Sequence, residues 1–206
     1  MSTMPTDRSR DTRARAVEAF SARLATQGYL GVSLDAVAVD VGVRKASLYH
    51  HFPDGKEGLY REAAFAYIEH ERRRVAEALA GADGLEERLV AIALLQAEPT
   101  AAGPELGQQI FDATRHASDE TRTVVSTTYC ESLIDPVVAL VREAVEAGEL
   151  TGEPEFLAWS FLHLTQGVAP MPDDVAMPPE QRGTRPAALD QARAVVRLFL
   201  DGARAR

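Results

Sequence analysis

Residues 33–52 constrain the fold of this chain more than any other stretch, because they specify two short helices joined by a tight turn. The apolar residues of the first helix recur on one helix face, at Leu34, Val37, Ala38 and Val41. Ser33 stands directly before that face, where its hydroxyl can accept from free N–H groups of the first turn. Gly42 follows the last apolar residue, as expected where a helix ends in a left-handed residue.

The second helix of this stretch covers residues 44–50 and has Leu48 as its clear apolar anchor. Its other side chains are cationic, hydroxylic, phenolic or imidazole groups, which can bind phosphates and base edges when they face solvent. A short helix followed by a second helix with such a face is typical of helix-turn-helix DNA binding, in which the second helix enters the major groove.

The stretch resembles the DNA-binding segment of the TetR family of one-component transcriptional repressors. The resemblance extends over about residues 10–70, a third of the chain. Its motifs are Thr12-Arg13, Val17-Glu18-Ala19-Phe20, Gln27-Gly28-Tyr29, Ser33, Gly42-Val43, Leu48-Tyr49-His50-His51-Phe52 and Lys56-Glu57 with Leu59. The turn at residues 53–56 is one residue longer than the shortest family version.

The resemblance implies an all-α chain with two domains. The first is a helix-turn-helix DNA-binding domain over residues 10–70, with the helix-turn-helix at 33–52, and the second is a helical effector-binding and dimerisation domain over 71–206. The implied DNA contacts are Ser33, Arg44, Lys45, Ser47, Tyr49, His50, His51 and Lys56. We expect Arg44, Lys45 and Ser47 at base edges and nearby phosphates. Tyr49, His51, Ser33 and Lys56 are expected on phosphates, and His50 on either.

Hydrophobic periodicity predicts helices through the rest of the chain and no strand. The predicted helices cover 11–27, 56–80, a segment from Leu85 that ends before Pro99, a segment from Pro104, 119–147 with a kink or break at Pro136, a segment from Pro154, and 187–202. Five prolines and a glycine between residues 168 and 186 predict a long loop.

Composition places the chain among cytoplasmic globular proteins. No apolar run approaches a membrane span, the arginine-rich start lacks the apolar core of a secretion signal, and Cys130 is the only cysteine. That thiol is expected to be a small buried apolar group rather than a redox sensor. The net charge is −9, but residues 1–60 carry +1, so the acidity lies in the body. The arginines at 8, 10, 13 and 15 form either a flexible arm that touches DNA or a solvated end.

The body implied by the resemblance holds an apolar effector pocket and, in its last two helices, a dimer interface. The pocket candidates are Gln108, Phe111, Tyr129, Leu133, Trp159, His163 and Gln166. Each of them taken singly is better explained as a core residue. Bulky apolar residues in the helices at 154–167 and 187–202 favour a homodimer, which would bind two half-sites of operator DNA.

No nucleophile motif, phosphate-binding glycine loop, paired acids or metal-ligand spacing of histidines is present in the sequence, so we expect no enzyme activity, cofactor or metal. The sequence therefore predicts a dimeric repressor that a small apolar or amphipathic effector releases from DNA. Two alternatives stay open at this point. One is a ligand carrier or enzyme with a vestigial DNA-binding head, and the other is a DNA-binding dimer without an effector.

Overall fold

The computed structural model describes residues 7–97, 104–168, 178 and 187–204. Secondary structure within these residues is helical, with ten α-helices, one π-helical turn, one 3-10 turn and one isolated β-bridge between Leu150 and Arg204. The predicted all-α fold class is confirmed. Most of the predicted loop at 168–186 lies outside the described residues, which include only Val168, at the end of the 3-10 turn, and Pro178.

The helix bounds agree closely with the hydrophobic periodicity. They are α1 Asp7–Gly31, α2 Leu34–Val41, α3 Lys45–His51, α4 Lys56–Ala80, α5 Gly84–Leu95, α6 Pro104–Thr114, α7 Asp119–Tyr129, α8 Asp135–Glu146, α9 Pro154–Thr165 and α10 Ala188–Ala203. The π-helical turn Cys130–Ile134 connects α7 to α8, and the 3-10 turn Gln166–Val168 follows α9.

The helix predicted at 11–27 is longer at both ends, and its last turn is broken at Gly28. Gly28 has φ 68° and ψ 168°, a backbone conformation that is nearly restricted to glycine. A Cβ added there would lie 3.1 Å from the Gln109 side-chain oxygen on α6. Glycine is therefore required at this position both by the backbone and by the close approach of α6.

The helix predicted at 119–147 is interrupted near Pro136, as expected, by a π-helical turn that begins at Cys130. The chain forms α7, then five residues of π-helix, then α8, in which Pro136 occupies the first turn. Pro136 has no N–H to donate and its ring would clash with the carbonyl four residues earlier, so a regular α-helix cannot pass through this point. The wider turn before Pro136 accommodates that restriction.

The combined stretch Asp119–Glu146 is long and apolar enough to cross a membrane by length and composition alone. This is weak evidence, because core helices of soluble proteins pass the same test. The apolar pattern of the sequence predicts no membrane span at this point.

The described chain divides into two compact units. The first consists of Met1–His70 with Pro99–Cys130, and the second of Glu71–Glu98 with Glu131–Arg206, each within the described ranges. Helices α6 and α7 thus belong to the same unit as the helix-turn-helix. The predicted functional boundary at residue 70 stays a prediction.

Each unit has its own apolar core. In the first, Phe20, Leu24, Leu48 and Tyr60 are fully buried. In the second, α10 packs on α5 and α9, and the rings of Phe161 and Phe199 lie 5.3 Å apart. The first core holds α3 in a fixed position on α1 and α2, which matters for the surface it exposes.

We expect Gly28→Ala to lower the free energy of unfolding by about 2 to 3 kcal/mol, because alanine is strained in this backbone conformation and its Cβ meets Gln109. Gly42→Ala, at a left-handed helix end with open space around it, should cost about 1 kcal/mol. Gly81→Ala serves as the control and should change stability by less than about 0.5 kcal/mol. Urea unfolding of the three variants measures this order, and equal losses would contradict it.

Candidate nucleic-acid interface

The turn between α2 and α3 has the geometry that its sequence predicts. The Ser33 hydroxyl accepts from the Ala36 N–H at 3.2 Å and caps α2. Gly42 adopts φ 73° and its N–H closes the end of α2 on the carbonyls of Ala38 and Val39. The chain then turns into α3, whose anchor Leu48 is fully buried.

Two arginines of α1 bind the carbonyl ends of both helices. Arg15 donates to the carbonyl of Val41, the last residue of α2, at 2.9 Å. Arg13 donates at 2.7 Å to the carbonyl of His51, the last residue of α3, and at 2.7 Å to the Glu62 carboxylate. Cations are favourable at helix C-termini, where carbonyls lack intrahelical partners.

Neither alternative left open by the sequence, a flexible DNA-binding arm or a solvated end, describes Arg13 and Arg15, because both bind other residues of the first unit. The Arg13 guanidinium also lies 4.9 Å from the centre of the Phe52 ring. The Arg8 side chain lies outside the described residues, and Arg10 is exposed.

The outer face of α3 gathers most of the predicted DNA contacts on one surface. Arg44, Lys45, Tyr49 and His50 are exposed, and Ser47 is half-buried. Arg44 stands at the N-cap with an extended backbone, and its guanidinium has no hydrogen bond or ion pair among the described residues. This surface is open to a double helix, and Arg44 can bind base edges without first breaking another contact.

Lys45 is paired within the protein. Its Nζ lies 2.8 Å from Asp35 Oδ2, in the first turn of α2, and this hydrogen bond raises the pKa of Lys45. Both partners are exposed, so solvent screens the pair and it contributes little to stability. The ion pair nevertheless neutralises one of the few positive charges that α3 could present to DNA phosphates.

Two predicted phosphate contacts are less exposed than the sequence suggests. Lys56 places its Nζ 4.3 Å from the centre of the Tyr29 ring, and burial lowers its pKa. His51 is half-buried, and its pKa is lowered by burial first and then by the neighbouring charges of His50 and Arg13. Their roles on DNA stay predictions.

Comparison with known proteins agrees with this geometry. Residues 17–63 match the family model described as bacterial regulatory proteins, tetR family. Over 69 residues the chain is 36% identical to the HTH-type transcriptional regulator LmrA of Bacillus subtilis, a match that covers 34% of this chain and 37% of the length of LmrA. The segment over residues 17–63 is therefore a TetR-family DNA-binding segment.

Solved structures extend the likeness of fold to the whole chain. The TetR family transcriptional regulator PfmR from Thermus thermophilus aligns with a TM-score of 0.68 and 21% identity, covering 97% of each chain. The superantigen PfiT aligns with a TM-score of 0.71 and 15% identity, covering 99% of this chain and 100% of PfiT. At these identities the likeness shows the fold alone.

Helices α1 and α4, which flank the helix-turn-helix, are connected to α6 and α7 by long-range contacts that local sequence patterns do not reveal. Glu57, on the first turn of α4, accepts from the Ser118 N–H at 3.0 Å and from the Ser118 hydroxyl. The buried Tyr60 donates its hydroxyl proton to the Ile110 carbonyl at 3.2 Å. The ring of Tyr29 stacks on His116, with centres 5.9 Å apart. The partners are separated by 50 or more residues, so no sequence spacing signals them.

The seven effector-pocket candidates do not form one site within either unit. Phe111 and Tyr129 line a cavity of about 130 Å³ in the first unit, whereas Gln108 bonds to Asp112 on the exposed side of α6. The other four lie in the second unit: Leu133, Trp159, His163 and Gln166. His163 donates from Nδ1 to the Trp159 carbonyl at 2.7 Å.

The other residues that line this cavity, including Tyr67, Ile68 and Ile110, could not be identified from the sequence. Their apolar spacing indicates only that they belong to the core of a helix. The cavity itself depends on how three helices meet. Cys130 also lines it, and the expectation of a buried thiol is wrong because Cys130 is exposed at the start of the π-helical turn.

We expect Asp35→Asn to raise the affinity of the protein for random duplex DNA severalfold, because it frees Lys45 and removes a negative charge near α3. The slope of log affinity against log salt should steepen by about 0.9 for each subunit bound. Asp40→Asn is the charge-matched control, since Asp40 pairs with Arg23 of α1 and not with α3. Equal effects of both variants would show that total charge, not the Asp35–Lys45 pair, controls binding.

We expect Glu57→Gln to lower the free energy of unfolding by about 1 kcal/mol at neutral pH, by weakening its bonds to Ser118. Those bonds, the Ser118 hydroxyl first, lower the pKa of Glu57 below its usual 4.5. The carboxylate therefore stabilises the fold above pH 4.5, and this contribution is lost as the pH falls through the lowered pKa. Urea unfolding across that range should show the variant and the parent converging in acid. Glu77→Gln, on the exposed side of α4, should match the parent throughout.

Proposed function

We propose that this TetR-family protein is a ligand-responsive transcriptional repressor that binds a palindromic operator as a homodimer. The observation that carries the proposal is the exposed face of α3, with Arg44 unpaired among the described residues above the buried Leu48. A helix held in this way can enter the major groove, where its N-terminal residues reach base edges. Repression rather than activation is proposed from the resemblance to the family.

Dimerisation is supported by apolar side chains that the second unit leaves uncovered on α9 and α10. Phe156 is 69% exposed, Trp159 45% and Leu198 64%. Clusters of large exposed apolar residues mark interaction surfaces, and the family pairs its last two helices in this way. A homodimer would place two copies of α3 on half-sites about 34 to 36 Å apart, one turn of the double helix.

Response to an effector is supported by the position of the cavity in the first unit. Ile110 of α6 lines the cavity, and its carbonyl accepts the hydrogen bond of Tyr60 on α4. A small apolar or amphipathic ligand that shifts α6 would therefore shift α4 and the α3 that precedes it. Release from DNA requires that the ligand bind the non-operator conformation more tightly, since only differential affinity can move the equilibrium.

The proposal places the protein in the cytoplasm with operator DNA, a small effector and a second copy of itself as partners. It includes no catalytic step, cofactor or metal, in keeping with LmrA and PfmR, whose names describe transcriptional regulators.

The proposal is tested by binding to the DNA that flanks the protein's own gene, titrated against salt, with random duplex as control. Arg44→Ala should weaken operator binding by about 1 to 3 kcal/mol and relax the preference at one base position. Arg115→Ala, which removes an exposed charge from the end of α6, should bind as the parent does. Tyr49→Phe should weaken binding to all sequences more uniformly, as loss of a phosphate contact does.

If the parent binds the flanking DNA and the random duplex equally and weakly, two interpretations are favoured. Either the protein is a carrier with a vestigial DNA-binding head, or its operator lies outside the DNA that flanks its gene. Specific binding that no ligand relieves would favour the effector-independent dimer. Unchanged binding by both Arg44→Ala and Tyr49→Phe would overturn the assignment of α3 as the reading helix.

A further inference from the structure

We propose that the cavity between α4, α6 and α7 binds a neutral, single-ring aromatic compound of about the size of phenol. This inference rests on the proposed function, since it names the chemistry of the effector. It is drawn from the size, the lining and the rim of the cavity.

The volume of the cavity sets the size of the ligand. It measures about 130 Å³ and lies within the first compact unit. An apolar cavity of roughly 150 Å³ holds one benzene molecule. The enclosed space is therefore close to the size of one six-membered ring, a small substituent has to lie at the exposed rim, and a fused second ring would have to extend out of the cavity.

The lining favours an aromatic ring. Ile68, Ile110 and Val125 form the inner wall and are almost completely buried. Phe111 and Tyr129 stand on the outer side as an edge-to-face pair, with ring centres 5.0 Å apart and planes at 84°. A third ring placed beside such a pair gains offset or edge-to-face contacts beyond its burial of apolar area.

The charge of the ligand follows from what the lining lacks. No lysine, arginine, histidine, aspartate or glutamate is among the described residues that line the cavity. A carboxylate or ammonium group placed against this lining would lose part of its hydration without gaining a partner of opposite charge, which is unfavourable. Neutral ring compounds are therefore favoured over charged ones.

One polar substituent has a place at the rim. Ser126 of α7 lines the exposed side of the cavity, and its hydroxyl has no hydrogen bond among the described residues. Thr114 also lines the cavity, but its hydroxyl already donates to the Phe111 carbonyl. A ring hydroxyl directed at Ser126 can donate or accept there, so a phenol should bind more tightly than a hydrocarbon of the same size.

The test measures ligand binding by the full-length protein without DNA, using calorimetry and the midpoint of thermal unfolding. Phenol and toluene should bind saturably and raise the midpoint, whereas benzoate and naphthalene should do neither. Ser126→Leu, which places a larger side chain at the rim, should weaken phenol binding by about tenfold or more. Val124→Leu, a neighbouring exposed change outside the cavity, should bind phenol as the parent does.

A second, milder substitution distinguishes loss of the binding site from damage to the fold. Ser126→Ala should bring the affinity for phenol down to that for toluene and leave toluene binding unchanged, a result that a merely structural serine would not give. The inference is overturned if no ring compound binds, if benzoate or naphthalene binds as tightly as phenol, or if Ser126→Leu binds phenol normally. Specific operator binding by the same preparation is measured separately, so failure of the ligand and failure of the DNA-binding function are distinguished.

Discussion

The exposed face of α3 depends on two arginines of α1 that are not part of that face. Arg13 and Arg15, two residues apart on α1, bind the last carbonyls of α3 and α2. These bonds satisfy backbone groups that a helix end leaves open, and they fix the directions of both short helices against α1. Buried apolar anchors such as Leu48 supply most of the packing energy, but an isolated seven-residue helix is too short to be stable without such support.

The same arrangement explains how a head with almost no net charge can present a DNA-binding face. Arg13, Arg15 and Arg23 are each bound within the head, to carbonyls or to carboxylates. Arg44 remains without a partner among the described residues, at the start of α3. The distribution of paired and unpaired cations, and not their number, therefore leaves an unpaired positive charge at the start of α3. On a surface of this kind, most discrimination between DNA sequences has to come from a few contacts with base edges.

Features set by neighbouring residues could be predicted from the sequence, and those set by distant ones could not. The Ser33 cap, the left-handed Gly42 and the Leu48 anchor each follow from local backbone chemistry and helical spacing. The bond from Glu57 to Ser118 and the wall of the cavity depend on how α4, α6 and α7 meet. Pro136 correctly predicted an interruption of the helix, but the sequence did not indicate that a π-helical turn forms there. The sequence left Arg13 between a DNA-binding arm and a solvated end, because composition reveals a charge and not the carbonyl that it binds.

Trp159 is the only tryptophan of the chain, and it lies half exposed on α9 beside the other uncovered apolar side chains. Indole emission shifts to shorter wavelength when water leaves the ring, and no other tryptophan contributes to the signal. The fluorescence of the unlabelled protein therefore reports on the surroundings of this one face. Association of two copies through α9 and α10 would therefore change the emission of this one residue.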